Sequence, residues 1–197
     1  PHVEVLKVAA EILAEKGMTT NTVTREVLCQ MGEAVAEKYY STVRAAIKGI
    51  SPDILYLGDR NNNLNPDVFR AAARNCDVVT VNVYDYIPSV ELPPDAEDKP
   101  LLVTEFHFGC YDTGYFYATI FPVKDQKARA ESYLEYLRSA VDNPAYVGAH
   151  WFCWRDCPIT GHAGRRGEGS NAQCGLVSMA DVPYSELVKA IRTVSRE

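Results

Sequence analysis

The chain has 197 residues, of which 47% are hydrophobic and 23% charged, enough apolar material for a real core and too much for a disordered segment. Its net charge is -6 and its basic residues cluster at Arg165-Arg166 alone, which argues against binding a nucleic-acid backbone. No apolar run approaches the roughly 20 residues that cross a bilayer, and the stretch PHVEVLKVAAEILAEKG is charged throughout, so a soluble chain without a membrane partner is expected.

Leu6, Ala9, Ala10 and Leu13 recur at helical spacing before Gly17 and predict a first amphipathic helix. A longer one follows the polar cap TTNT, with Leu28, Met31, Val35, Tyr39, Val43 and Ile47 at steps of three or four, ending at Gly49 and Pro52. The period then changes. DILYLG, 53–58, and DVVTVNVY, 77–84, are short β-rich runs separated by the turn-forming DRNNNLNP and a helix from about Pro66 to Arg74. After the acidic, proline-rich connection DYIPSVELPPDAEDKP comes a strand at 101–106. A helix follows, with Ala130, Tyr133, Leu134, Leu137 and Val141 predicted to share one face. A fourth strand at 145–154, AYVGAHWFCW, and a last helix from Pro183 to about Val194 complete the chain. We read residues 1–197 as one unit: leading helices over 1–50, then four β/α units over 53–197.

Alternating strands and helices indicate a parallel α/β sheet, either doubly wound or a barrel. A dinucleotide-binding reading requires a Gly-rich turn directly after a strand, and no G-x-G-x-x-G occurs. Each predicted strand instead ends in polar and aromatic residues: Asp59 and Arg60; Tyr84 and Tyr86; Glu105 and His107; Trp151, Trp154, Arg155 and Asp156. Barrels place their chemistry at the C-terminal ends of strands. Glu105 is the most conspicuous of these, because a carboxylate at the mouth of the apolar run Leu101-Leu102-Val103 is costly to desolvate unless paired or used. Its alternative role is a strand-end partner of Arg60 or Arg155.

The six cysteines form no C-x-x-C pair, so neither a zinc ribbon nor a thioredoxin-type site is signalled. Free, mostly buried thiols are expected. Cys153, Cys157 and Cys174 lie near His150 and His162 in sequence, a spacing compatible with a metal site or a loop disulfide but specific to neither. No metal and no cofactor are expected.

The stretches YYSTVRAAIKGISPDILYLGDR, TEFHFG, VGAHWFCWRDCPITG and CGLVSMADVPYSELVKAIR together resemble the C-terminal half of clan A glycoside hydrolases, in particular the β-agarases of family 50 and related β-galactosidase-like enzymes. The likeness runs over most of residues 38–192. It implies half of a (β/α)8 TIM barrel, the four strands matching strands five to eight. On that alignment Glu105 matches the nucleophile at the end of strand seven. Tyr84 matches a strand-six tyrosine that contacts it, and Trp151 or Trp154 an aromatic platform after strand eight. Read from the residues themselves, His107 is a candidate hydrogen-bonding group to the nucleophile or to sugar hydroxyls, or else a satisfied buried polar group, and Arg60 is a candidate substrate contact or a structural partner of Asp156 at the barrel rim. The family's loop after strand eight is matched at Gly164, Arg165, Glu168 and Asn171, while its aspartate is missing.

The family's acid/base glutamate, usually preceded by asparagine, has no counterpart: no Asn-Glu dipeptide occurs. Four strands cannot close a barrel, and exposed edges invite association. The resemblance therefore implies a partner, either a second copy in a homodimer or a complementary N-terminal half-barrel, with an oligo- or polysaccharide as substrate. Two functions follow: hydrolysis of β-galactosidic linkages in agarose-like polysaccharide, or a catalytically inactive half-barrel serving as a structural or carbohydrate-binding module. Family members are often secreted or periplasmic.

Overall fold

The computed structural model describes residues 2–62, 65–90, 92–96, 98–158, 160 and 171–195. It falls into two compact units, Pro1–Thr80 with Glu91–Pro100, and Val81–Val90 with Leu101–Glu197. Among the described residues there are five α-helices and three strands. No helix of these is long and apolar enough to cross a membrane.

In the first unit, α1 (His2–Glu15) ends before Gly17, whose φ of 62° suits glycine. The Thr24 side chain caps α2 (Arg25–Ile50), its oxygen accepting from the Val27 N–H at 3.3 Å. Asn65 caps α3 (Pro66–Asn75), with Pro66 in the first turn where its missing N–H costs nothing. Helices α2 and α3 pack together across an ion-pair ladder: Arg70 to Glu33 at 3.1 Å, Arg74 to Glu33 at 2.7 Å and Arg74 to Glu37 at 2.9 Å.

The apolar stripes predicted for α1 and α2 do not form the core. No residue of α1 is buried and Leu6 is 68% exposed, while α2 buries Val27, Ala36 and Tyr40 instead of the line through Leu28 and Tyr39. The Tyr40 hydroxyl fixes this rotation by donating to Asp59 at 2.5 Å.

Residues 53–58, expected as a strand, are irregular. The reason lies in what they bond. The Asp77 carboxylate accepts from the Tyr56 N–H at 2.7 Å, and the Thr80 hydroxyl donates to the carbonyls of Leu57 and Asp59 at 2.8 and 2.7 Å. Side chains thus occupy groups that a ladder would use.

The second unit contains the end of β1 (Val79–Asn82), then β2 (Leu101–Phe106), α4 (Gln126–Val141), β3 (Tyr146–Trp151) and α5 (Ser185–Val194). The sheet order is β1-β2-β3, and β2 pairs with β3 in parallel from Leu101 opposite Tyr146 to Phe106 opposite Trp151. Helix α4 crosses over between them and packs on α5. Its buried face is Arg129, Ala130, Tyr133, Tyr136 and Ala140, turned from the predicted one, so that Val141 is 77% exposed. Aromatic stacking sets that turn: the Tyr136 ring lies on Phe106 of β2 at 4.0 Å, and its hydroxyl donates to the Val83 carbonyl at 2.8 Å.

Candidate active site

Glu105 is the fifth residue of β2 and half-buried. Its carbonyl accepts from the Val83 N–H at 3.0 Å, which brings the end of β1 alongside and sets Tyr84 next to the carboxylate. The Tyr84 hydroxyl donates to Glu105 Oε2. The Thr104 hydroxyl reinforces the same junction, bonding the Val81 carbonyl at 3.1 Å and Asn82 Oδ1 at 2.7 Å.

His107 stands beside this pair, its ring 4.9 Å from that of Tyr84. Its Nδ1 lies 3.0 Å from the Phe152 carbonyl oxygen, and a carbonyl can only accept, so Nδ1 carries the proton. Burial disfavours the imidazolium and pushes the ring down to about 4, leaving it neutral near pH 7. Nε2 is consequently an acceptor, buried and without a hydrogen-bond partner among the described residues. The site thus offers a carboxylate held by a phenol, and an acceptor nitrogen awaiting a donor.

The two tryptophans occupy different environments. Trp151 donates from Nε1 to the Cys174 carbonyl at 2.8 Å and packs on Phe106 and Tyr133 at 5.4 and 5.7 Å, with the Arg129 guanidinium over its ring at 5.3 Å. Trp154 is 69% exposed. Arg60 lies exposed in the first unit, Arg155 pairs with Asp181 at 3.6 Å, and Asn171 is half-buried with its N–H on the Pro158 carbonyl at 3.2 Å. Glu168 lies outside the described residues.

Sequence reasoning missed Arg129. It is fully buried on α4, donating from Nε to the Phe108 carbonyl at 2.6 Å and from Nη2 to the Gly175 carbonyl at 2.7 Å, and stacking on Trp151 and Tyr184. It ties the loop after β2 to the segment after β3. Burial holds its guanidinium below the usual arginine range, opposed by the nearby Asp156 carboxylate. A lone arginine on a predicted helix gives no signal for this, because its spacing also fits a solvated position.

No protein-family model matches the chain. β-Agarase B of Vibrio sp. (strain JT0107) is 38% identical over 178 residues, covering 85% of this chain and 18% of that protein. The chain is homologous to the β-agarases. β-Agarase A of the same strain is 37% identical over 166 residues, 80% of this chain and 16% of its own length. Among solved structures, the agarase AgWH50C superposes on this agarase homologue with a TM-score of 0.80 at 37% identity, over 96% of this chain and 30% of the agarase. An exo-β-agarase structure gives 0.76 at 34% identity, over 88% of this chain and 24% of its own. A β-galacturonidase from Eisenbergiella tayi, at 0.55 and 17% identity, shares the fold alone. The homologue therefore spans less than a fifth of the curated agarases it matches, and its parallel α/β fold is part of those larger glycoside hydrolase chains.

Proposed function

We propose that this chain supplies the nucleophile half of a retaining β-agarase-type glycoside hydrolase, with Glu105 as the nucleophile. The observation that carries the reading is the Tyr84–Glu105 hydrogen bond at the exit of β2, in a chain homologous to β-agarases. The hydroxyl fixes the carboxylate's orientation before substrate arrives, which reduces the reorganisation needed at the moment of attack.

In this reading Glu105 attacks the anomeric carbon of a galactose ring from the face opposite the glycosidic oxygen. The carbon–oxygen bond to the leaving sugar breaks as that oxygen is protonated by a second carboxyl group. A glycosyl ester on Glu105 results, and water, deprotonated by the same second group, releases the sugar with net retention. Retaining chemistry requires the two carboxyls to lie about 5 Å apart. Since no Asn-Glu dipeptide occurs in this sequence, the acid/base comes from a complementary N-terminal half-barrel, which also supplies the remaining strands.

The exposed Trp154 stacks on the apolar face of a ring, and His107 lines the site beside Tyr84. Trp151, engaged by Phe106, Tyr133 and Arg129, packs in the core instead. Asn171 is an outer substrate contact. The chemistry needs no cofactor.

The test is complementation. Mixed with the N-terminal fragment of a homologous β-agarase, the chain is expected to release oligosaccharides from agarose, and Glu105→Gln to abolish release. Turnover that survives the substitution removes the assignment.

A second reading is favoured by the exposed Leu28 and Tyr39 of α2 and Leu6 of α1: two copies associate as an inactive module. A dimeric native mass together with no turnover in the complemented mixture selects it.

A further inference from the structure

The three cysteines of the segments after β3 converge. Cys157 Sγ lies 3.3 Å from Cys174 Sγ, Cys153 Sγ lies 3.6 Å from Cys174 Sγ, and all three sulfurs fall within 4.8 Å of one another. None is a disulfide, which would hold two sulfurs about 2.05 Å apart. Four thiolates around a zinc ion at about 2.3 Å stand about 3.8 Å from one another. Two edges of the observed triangle, 3.3 and 3.6 Å, fall short of that edge by about 0.5 and 0.2 Å, and the third is within 4.8 Å, so small adjustments of the three side chains bring the sulfurs onto one ion.

We propose that Cys153, Cys157 and Cys174 form a thiolate site for a single zinc-like divalent cation. The second observation behind it is how tightly the backbone holds the three ligands. The segment 153–157 runs against 172–177, the Cys153 N–H donating to the Cys174 carbonyl at 3.0 Å, the Cys157 N–H to the Ala172 carbonyl at 3.0 Å and the Asp156 N–H to the Val177 carbonyl at 3.1 Å. Gly175 permits that approach: a Cβ there would stand 2.3 Å from the Asp156 nitrogen. The ligands are thus placed by the fold, at little entropic cost on binding.

The surroundings suit a charged cluster of this kind. Cys157 and Cys174 are buried against Ala172 and Phe152, which exclude water from two corners, while Cys153 is half-buried and gives the ion a way in. Binding releases the thiol protons to solvent and leaves the fourth position for water or a further ligand. His150 is exposed on β3 and outside the cluster; His162 lies outside the described residues. Since Trp151 Nε1 donates to the Cys174 carbonyl, an ion here braces the segment that carries both tryptophans. The site is structural and independent of Glu105, so it stands or falls apart from the hydrolase reading.

The experiment titrates the full chain, reduced and stripped with a chelator, with Cd²⁺ and Co²⁺, reading the thiolate-to-metal charge-transfer absorption and the thermal midpoint. One equivalent per chain is expected to saturate the band and raise the midpoint. Cys157→Ser and Cys174→Ser should each lose the band, and Cys29→Ser and Cys76→Ser should keep it. Wild-type chain that shows no saturable band overturns the site without recourse to any variant. So does a band retained in Cys157→Ser, or a native disulfide joining two of the three in chain isolated under reducing conditions.

Discussion

Glu105 and Phe106, neighbours at the end of β2, leave the strand on opposite faces: Phe106 stacks on Tyr136 of α4 at 4.0 Å, and Glu105 receives the Tyr84 hydroxyl. The strand's period of two converts one step of sequence into a division between core and chemistry. The proposed site depends on this division, which holds at the end of β2 although the pairing with β3 shifts register between Val103 and Phe106.

On the proposed reading the Tyr84 hydroxyl orients the nucleophile, so its loss is expected to act on turnover and not on folding. Tyr84→Phe is expected to lower kcat on agarose oligosaccharides on the order of 100-fold in the complemented mixture, with the thermal midpoint unchanged within a few degrees. Steady-state kinetics and a thermal melt on the same sample check both halves.

Arg129 is the reverse case. Arg129→Met keeps much of the apolar contact with Trp151 but leaves the buried carbonyls of Phe108 and Gly175 without their donor. Each unsatisfied group costs about 1–3 kcal/mol, so a loss of about 3 kcal/mol is expected in urea denaturation.

Glu105, Tyr84 and His107 could be singled out because polar and aromatic residues at strand ends break an apolar pattern, and the structure brings those three together. The helices could be read from capping residues such as Thr24 and Asn65, whose geometry is local. Their buried faces could not. On α2 the choice between Tyr39 and Tyr40 depends on Asp59, 19 residues away, and on α4 the choice of Tyr136 depends on Phe106. The run at 53–58 has strand composition, yet Thr80 and Asp77 take its backbone groups, a competition that no local propensity records. The convergence of three cysteines spaced by 3 and 16 residues is likewise a product of the pairing of 153–157 with 172–177.

Asp77 gives the first unit an acid-sensitive joint. A hydrogen bond from Lys48, the Tyr56 N–H and a further bond from Arg44 hold its carboxyl below the ordinary 3.8, at about 2. A depressed pKa means that the ionised form stabilises the fold; this contribution is complete above pH 4 and is lost as the pH falls from about 4 to about 2. Its partly exposed position limits it to about 1 kcal/mol. Asp77→Asn is therefore expected to be less stable than wild type at pH 7 and to converge with it near pH 2, measured by denaturation across that range.

Gly109, in the loop following β2, has no room for a side chain: a Cβ would meet the Gln173 carbonyl oxygen at 2.4 Å and that of Ala118 at 2.8 Å. Both obstacles are backbone and cannot rotate away. Gly109→Ala is expected to destabilise the chain by about 2 kcal/mol or more, visible as a lower urea midpoint.

The central claim is that Glu105 forms the covalent bond to sugar, and it can be tested without the missing acid. A fluorinated β-galactoside carrying a dinitrophenyl leaving group needs no protonation to depart and accumulates as the glycosyl-enzyme. Peptide mapping of the treated chain by mass spectrometry should find the added sugar on the peptide containing Glu105, and none in Glu105→Gln. Sugar attached to a different carboxylate, or equal labelling of the Glu105→Gln variant, would contradict the account.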